Sequence, residues 1–239
     1  MKRVVVITGG AGGIGQACVN LFAKEDIVVV LDVNQANVRQ WSQVDNIYSY
    51  EVDLSDIDGI KRIVEKIIER FKRIDVLVQA AGIMHSQSAL DVLPQTFEKI
   101  MKVNVEGMFF IMQETVKQSM KRNGGVILNF ASQAAIRGFD GVMASVHYSA
   151  SKGAVIAMSR QLAVEWGKYQ IRVNSISPGG VLTPAMASLD FNEDLSKIPL
   201  NKLSKPEDIA SVVYFLCSNH SKMITGQNIV IDGGSGIVG

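Results

Sequence analysis

The chain has 239 residues, of which 47% are hydrophobic and 20% are charged, and its formal net charge is +1. A chain of this length buries enough surface to fold without disulfides or metals, and its balanced charge indicates neither a nucleic-acid partner nor an anionic membrane surface. The two cysteines, Cys18 and Cys217, have no cysteine or histidine at ligand spacing nearby. We therefore expect no disulfide framework and no metal site.

The N-terminal apolar run is too short for an export signal. It covers residues 4–7 and ends at Thr8-Gly9, whereas a signal core needs about seven to fifteen apolar residues. No stretch approaches the roughly 20 apolar residues of a membrane span. We expect a cytoplasmic protein with no membrane partner.

Short apolar runs alternate with helical patterns along the whole chain, and several runs are β-branched, as expected for strands covered on both faces. This alternation joins parallel strands by right-handed crossovers. It predicts a single α/β domain over residues 1–239, a Rossmann-type doubly wound parallel sheet with helices on both faces. The predicted strands are residues 4–8, 27–31, 47–51, 76–79, 126–130, 172–176 and 229–231.

Four helix starts are predicted, near Gly13, Asn34, Asp56 and Pro206. The helix over residues 56–71 has apolar residues at three- and four-residue steps, and Ser55 with Asp58 predicts a capping box at its start. Ser204 is the predicted cap of the last helix. Residues 179–200 are the least regular stretch, which is long enough to be a functional loop.

Two helical segments carry more apolar surface than one buried stripe needs. Residues 108–112 and 154–158 are apolar at five consecutive positions, so they point in every direction around the helix. Either these helices lie within a thick core, or a second face contacts another subunit. We favour the second interpretation and expect a homo-oligomer, a tetramer or a dimer.

A glycine-rich turn follows the first predicted strand and opens the first helix, with the sequence Thr8-Gly9-Gly10-Ala11-Gly12-Gly13-Ile14-Gly15. Glycines let backbone N–H groups approach a pyrophosphate at the positive end of the helix. The same turn could be only a tight connection, but its position between strand and helix favours a dinucleotide site. No Lys-Ser or Lys-Thr follows, which disfavours a nucleoside-triphosphate loop.

Asp32 ends the second predicted strand at the spacing expected for an acid that contacts the adenosine ribose. Its carboxylate can accept hydrogen bonds from the ribose hydroxyls and would repel a 2′-phosphate. No Arg or Lys lies in residues 32–38, and Arg39 is the nearest cation. NAD is therefore favoured over NADP, while a solvated turn residue or a helix cap is the alternative interpretation of Asp32.

Tyr148 and Lys152 are four residues apart on a predicted helix and lie on one face. A free tyrosine has a pKa near 10, and a neighbouring ammonium would lower it and make a usable acid/base. Such pairs are common on surfaces, so the context matters. Ser132 ends the fifth strand and Asn104 lies in the preceding helix, and both can face the crevice beyond the carboxyl ends of the strands.

With these motifs in this order, the whole chain resembles the short-chain dehydrogenase/reductase family. The matching segments are Thr8-Gly9 with Gly13-Ile14-Gly15, Asp53, Val103-Asn104-Val105, Ser132, Tyr148 with Lys152, Ser177-Pro178-Gly179 with Thr183, Ile224-Thr225-Gly226-Gln227, and Asp232-Gly233-Gly234. The resemblance implies a cofactor site formed by Thr8, Gly9, Gly13, Ile14, Gly15, Asp32, Val33, Asp53, Leu54, Ala81, Gly82, Tyr148, Lys152, Pro178, Gly179, Val181 and Thr183.

The resemblance also implies a role for each catalytic residue. Tyr148 would exchange the proton of the substrate hydroxyl, and Ser132 would hold the reacting oxygen. Lys152 would lower the pKa of Tyr148 and bind the nicotinamide ribose, and Asn104 would position a water that relays protons. The nicotinamide ring would be oriented by Pro178, Gly179, Val181 and Thr183.

Two departures from the family pattern concern the site. The chain has Gln79-Ala80-Ala81-Gly82 where the family usually has Asn-Asn-Ala-Gly, which changes local packing but removes no catalytic group. The spacing from Ser132 to Tyr148 is about three residues longer than is common, and the extra length in residues 138–146 should reshape the substrate pocket.

Residues that could line the substrate pocket are harder to assign. His85, His147 and Gln133 lie near catalytic positions. Contact with the substrate and a role away from it are equally open for His85. A solvated or interface role is favoured for His147, which points about 100° around the helix from Tyr148. Met84, Met143 and Met186 either form apolar walls of the substrate pocket or only pack in the hydrophobic core. Residues 184–200 form the expected substrate lid, with Met186, Leu189, Asp190, Phe191, Glu193, Asp194 and Leu195.

The sequence predicts an NAD-dependent oxidoreductase that interconverts a secondary alcohol, such as a sugar, polyol or hydroxy acid, and a ketone. The alternative enzyme is a 3-oxoacyl-carrier-protein reductase, which would normally prefer NADPH and a basic docking patch. A non-catalytic nucleotide-sensing module is a third interpretation, since fold does not dictate function. The complete set of Asn104, Ser132, Tyr148 and Lys152 disfavours it.

Overall fold

The computed structural model describes residues 2–34, 41, 44–187 and 194–238. Its seven strands form one parallel sheet in the order β3-β2-β1-β4-β5-β6-β7, which confirms the predicted doubly wound architecture. The strands are β1 (Val4–Thr8), β2 (Ile27–Asp32), β3 (Ile47–Glu51), β4 (Val76–Gln79), β5 (Gly125–Phe130), β6 (Ile171–Pro178) and β7 (Asn228–Ile231).

The helices that cover the sheet are α1 (Gly13–Phe22), α2 (Ile57–Phe71), α3 (Pro94–Met101), α4 (Met108–Thr115), α5 (Lys121–Asn123), α6 (Val146–Trp166), α7 (Pro184–Ala187) and α8 (Pro206–Leu216). Two π-helical segments, Lys102–Gly107 and Val116–Met120, join α3, α4 and α5 into one continuous helical stretch. The helix predicted near Asn34 falls largely on residues 35–40, outside the described residues.

Each face of the sheet buries its own apolar core, because successive strand residues point to opposite sides. In β1, Val4 and Val6 belong to the core beneath α2, α4 and α6. Val5 and Ile7 belong to the core beneath α1 and α8. The near-continuous apolar strands are therefore explained by helices on both sides.

The predicted caps of two helices are wrong. The side chain of Asp56, not Ser55, caps α2 by accepting from Gly59 N at 2.9 Å, while Ser55 Oγ donates to Asp53 Oδ1 at 2.8 Å. Pro206 occupies the first turn of α8, so the cap is Lys205, whose N–H donates to Asp208 Oδ2 at 2.8 Å. Ser204 instead pairs with Val181 in a parallel bridge.

The two strongly apolar helical segments are only partly buried. Met108, Ile111 and Met112 of the first segment and Val155 and Ile156 of the second lie in the core. Phe109, Phe110 and Met158 are half-buried, and Phe109 and Met158 line one surface groove. The thick-core interpretation thus accounts for part of this apolar surface. Within the described part of the chain, no helix combines the length and apolar character that crossing a membrane requires.

Candidate active site

The crevice lies where the strand order reverses, between β1 and β4, and it extends across the carboxyl ends of the sheet, where such folds bind ligands. Two adjoining cavities of about 330 Å³ and 540 Å³ form it. They share Ala80, Gly82 and Ile83 as lining residues, so the crevice is continuous and elongated.

The glycine-rich turn packs tightly between β1 and α1. Gly9 has a φ of +66°, and a Cβ at Gly15 would collide with its carbonyl oxygen. Gly12 precedes α1 with no capping side chain, and the first turn of α1 carries no acidic residue. The positive end of this helix is therefore left to an anionic ligand, and the turn fits a pyrophosphate.

Asp32 stands at the end of β2, as predicted, and its carboxylate is already oriented by the backbone. Oδ2 accepts from Ala11 N at 3.0 Å and Oδ1 accepts from Asn34 N at 3.1 Å. Each oxygen keeps further capacity to accept a hydrogen bond. Asp32 lines the larger cavity, so it can both fix the turn and receive ribose hydroxyls. Arg39 lies outside the described residues.

The other predicted cofactor residues line the same crevice. The larger cavity is lined on the Asp32 side by Gly9, Val33, Asp53, Leu54, Ala81 and Gly82. The smaller cavity is lined by Ile14, Gly82, Tyr148, Lys152, Pro178, Gly179, Val181 and Thr183. Thr8 is buried beneath the turn, where its hydroxyl accepts from Ala81 N at 3.3 Å. Gly13 contacts the crevice wall, because a Cβ there would meet the Thr183 methyl group at 2.8 Å.

Tyr148 and Ser132 meet in the smaller cavity. Ser132 follows β5 and caps the 3₁₀ turn Gln133–Ala135. Its Oγ accepts a hydrogen bond from Ala134 N at 3.1 Å. Burial raises the pKa of Tyr148, and hydrogen bonding by the Ser132 hydroxyl acts in the opposite direction. The phenol is therefore a proton donor at neutral pH.

Lys152 lies one helical turn from Tyr148 and is buried. Its Nζ donates to the carbonyl oxygen of Phe130 at 2.7 Å and lies 5.6 Å from the centre of the Tyr148 ring. Burial lowers the pKa of Lys152 to about 8. Lys152 was predicted to lower the pKa of Tyr148. In the structure the pKa of Tyr148 is instead raised, because removal of the phenol from water is the larger effect.

Asn104 occupies the π-helical segment Lys102–Gly107 and is fully buried. Its Oδ1 accepts from Ile83 N at 2.8 Å, and its Nδ2 donates to Ile83 O at 2.9 Å and to Ser151 Oγ at 3.1 Å. A Cβ at Gly82 would lie 3.2 Å from Lys152 Nζ and 3.4 Å from Asn104 Oδ1. Asn104 therefore holds the segment after β4 beside the lysine amine. Neither the π-helical turn nor the contribution of Ser151 has a signal in the sequence.

Gln79, the first departure from the family pattern, is also buried. Its Nε2 donates to Asn129 Oδ1 at 3.0 Å and to Met108 O at 3.1 Å. The longer amide therefore links β4 both to β5 and to the helix that carries Asn104. No catalytic group is lost by this change.

The substrate side of the smaller cavity has apolar walls. Met84, Met143 and Met186 all line it, and Phe139 and Met143 come from the lengthened segment 138–146, as expected for a reshaped pocket. Of the predicted lid, α7 and the 3₁₀ turn Leu195–Lys197 are described, whereas Leu189, Asp190, Phe191 and Glu193 lie outside the described residues.

Neither His85 nor His147 lines this cavity in the described part of the chain. The favoured solvated role of His147 is wrong, because its ring is completely buried, 6.0 Å from the centre of the His85 ring. Burial lowers the pKa of His147. Gln133, by contrast, does line the cavity. Ile83 and Gly180 also line it, and the sequence assigned neither of them to the site.

Comparisons with known proteins agree with this geometry. The family model described as enoyl-(acyl carrier protein) reductase matches residues 9–236. The chain is 36% identical to the 3-oxoacyl-[acyl-carrier-protein] reductase FabG of Thermotoga maritima, covering 97% of both chains. It is 35% identical to an NAD-dependent glycerol dehydrogenase of Listeria innocua, over 97% of this chain and 93% of the relative. The crystal structure of a 3-ketoacyl-(acyl-carrier-protein) reductase from Brucella melitensis complexed with NADH superposes with a TM-score of 0.91 at 32% identity, covering 98% of both chains.

Proposed function

Given that the chain belongs to the short-chain dehydrogenase/reductase family, oxidoreductases that act on alcohol and ketone groups, we propose that it is an NAD-dependent enzyme that interconverts a secondary alcohol and a ketone. The observation that carries this proposal is the placement of Tyr148, Ser132 and Lys152 around one cavity that continues into the glycine-rich turn. A proton donor and a dinucleotide site thereby adjoin one another.

Tyr148 and Ser132 act on the substrate oxygen. Because the pKa of Tyr148 is raised, its hydroxyl is protonated at neutral pH and gives its proton to the carbonyl oxygen during reduction. During oxidation the phenol first passes its own proton to the Lys152 amine, and the phenolate then takes the proton of the alcohol. Ser132 holds the same oxygen by a hydrogen bond. The bound nicotinamide dinucleotide supplies or accepts the hydride.

Lys152 and Asn104 restore the proton of Tyr148. With a pKa of about 8, the Lys152 amine exchanges protons readily near neutral pH. Asn104 Oδ1 and the Lys152 amine both lie against Gly82, and this oxygen retains one lone pair that can accept from a water between them. Asn104 thus serves as the positioning residue of the relay.

The preference for NAD over NADP rests on Asp32. Its carboxylate lines the adenosine side of the crevice, where a 2′-phosphate would meet a second negative charge. Ribose hydroxyls, in contrast, would donate to it. Val33, which follows, is exposed at the same edge and offers no positive charge.

We further propose that the enzyme forms a homo-oligomer. The contact between subunits would be formed by the half-buried apolar residues of α4 and α6. Phe109 and Met158 line two shallow grooves on this face, which continue to Leu162 and Trp166. A second copy of the chain is the occupant we propose, because two identical faces of this kind can cover one another.

A reductase of 3-oxoacyl groups on a carrier protein is the second candidate function, and the similarity to FabG of Thermotoga maritima favours it. Asp32 argues against NADPH as its cofactor, but it does not exclude such a reductase, because the one from Brucella melitensis was crystallised with NADH. The 330 Å³ cavity, which the nicotinamide ring must share, argues for a compact substrate.

The proposal is tested by incubating the protein with NAD or NADP and a panel of secondary alcohols, and with the reduced cofactors and ketones or a 3-oxoacyl thioester. Nicotinamide absorbance reports turnover. We expect oxidation of at least one small secondary alcohol with NAD. Turnover of the thioester alone would establish the second candidate, and binding of NAD with no turnover of any substrate would indicate a nucleotide sensor.

A further inference from the structure

Among the described residues that line the substrate cavity, one polar side chain is left unassigned by the proposed chemistry. Its walls are formed largely by apolar residues, and Ser132, Tyr148 and Lys152 account for the reacting groups. Thr183 packs against Gly13, and its hydroxyl accepts from Met186 N at 3.2 Å. Gln133 is the remaining polar side chain of the lining, and it is only 3% exposed.

The orientation of the Gln133 amide is fixed by its partners. Nε2 donates to Asp232 Oδ2 at 2.9 Å and to Ser235 Oγ at 2.8 Å. A carboxylate only accepts hydrogen bonds, so the NH₂ group must face Asp232 and the carbonyl oxygen must face away. Asp232 is itself held by the N–H groups of Gly234 at 2.9 Å and Gly236 at 2.7 Å.

The carbonyl oxygen of Gln133 lies beside the nicotinamide-side segment. A Cβ at Gly179 would be 3.5 Å from Oε1, and both residues line the cavity that holds Ser132 and Tyr148. Among the described residues, no hydrogen-bond donor reaches this oxygen at hydrogen-bonding distance. It is a preoriented acceptor in a largely apolar lining, and a ligand that donates a hydrogen bond to it gains affinity over one that cannot.

We propose that Gln133 determines substrate specificity by accepting a hydrogen bond from a second hydroxyl group, on the carbon next to the reacting carbon. The preferred substrates are then small vicinal diols and the corresponding α-hydroxy ketones. This inference rests on the proposed function, since it names the substrate class of the same site. Gln133 directly follows Ser132 and lines the same cavity, so the nearest second hydroxyl that could reach it is the one on the carbon next to the reacting carbon.

Three related alcohols test the inference on the unmodified protein. 2,3-Butanediol carries the second hydroxyl, 3-methoxy-2-butanol replaces it by a group that cannot donate, and 2-butanol lacks it. With NAD as oxidant, we expect kcat/KM for at least one stereoisomer of the diol to exceed both other values by roughly 10- to 100-fold. Equal values for the diol and its methyl ether would overturn the inference while leaving the proposed function intact.

Two variants locate the effect. Gln133→Leu should bring the ratio of kcat/KM for diol to that for 2-butanol close to one. Ser235→Ala, which removes one anchor and keeps the Asp232 contact, should retain most of the preference. A Gln133→Leu protein that folds with an unchanged melting temperature and keeps the full preference would contradict the assignment; if it does not fold, the methyl ether comparison still decides. Absence of turnover with every alcohol and ketone would instead refute the proposed function.

Discussion

The amine of Lys152 is bound to the carbonyl oxygen of Phe130 at 2.7 Å, and not to the hydroxyl of Tyr148 one helical turn away. This contact ties the helix that carries Tyr148 to the end of β5, the strand that leads into Ser132. The amine is thereby buried and its pKa is lowered to about 8. This contact fixes Lys152, and the helix that carries Tyr148, relative to the end of β5.

Burial of Lys152 should make the stability of the protein depend on pH. Between pH 8 and the ordinary value of 10.5, the unfolded chain holds a proton on this residue that the folded protein has lost. The free energy of unfolding therefore rises with pH in this window. Below pH 8 the folded protein buries a charged amine, and this lowers the free energy of unfolding by the full amount, about 3 kcal/mol. Urea unfolding at pH 7 and pH 9.5 should show wild type gaining stability relative to Lys152→Met.

The matched control for this measurement is Lys202→Met, since Lys202 is exposed. The free energy of unfolding of this variant should differ from that of wild type by the same amount at both pH values. A constant difference between wild type and Lys152→Met would show that Lys152 keeps its charge when folded. The raised pKa of Tyr148 affects wild type and Lys152→Met alike, so it cancels from the difference in the free energy of unfolding between them.

Removing the charge of Asp32 should weaken the discrimination against NADP. Asp32→Asn keeps the shape of the side chain and one acceptor for the backbone N–H of Ala11, but it no longer repels a 2′-phosphate. We expect the ratio of kcat/KM with NAD to that with NADP to fall at least ~10-fold. Asp56→Asn, at the exposed cap of α2, is the control and should leave the ratio unchanged.

The strands could be predicted to within one or two residues because both faces of the sheet are covered, and this makes the central strands β1, β2 and β4 mainly apolar and β-branched. The caps of α2 and α8 could not, because neighbouring residues compete for the same position. At α2, Asp56 reaches Gly59 N, whereas the Ser55 hydroxyl bonds to Asp53.

Most residues that line the crevice could be predicted from the sequence, but several of their properties could not. The π-helical turn that positions Asn104 depends on packing, since Gly107 lies directly against the backbone of Leu54. The direction of the Tyr148 pKa depends on burial, which the spacing to Lys152 does not reveal. The orientation of Gln133 depends on Asp232, which is 99 positions away in the chain.

The proposed subunit contact predicts the oligomeric state. Wild type should sediment as a dimer or tetramer, and Met158→Glu should shift the protein toward a smaller species by placing a charge in the apolar face of α6. Leu90→Glu, at a position 96% exposed in the segment before α3, is the control and should not change the sedimentation. A wild-type monomer at micromolar concentration would contradict the proposed contact.

The central claim is that the Tyr148 hydroxyl transfers the proton of the reacting alcohol or ketone, and Tyr148→Phe tests it most directly. Turnover of the best substrate and NAD affinity should be measured on the same preparation. The account predicts NAD binding within a few-fold of wild type and turnover lower by at least ~10²-fold, the usual scale for a lost general acid/base. Turnover close to that of wild type would contradict it.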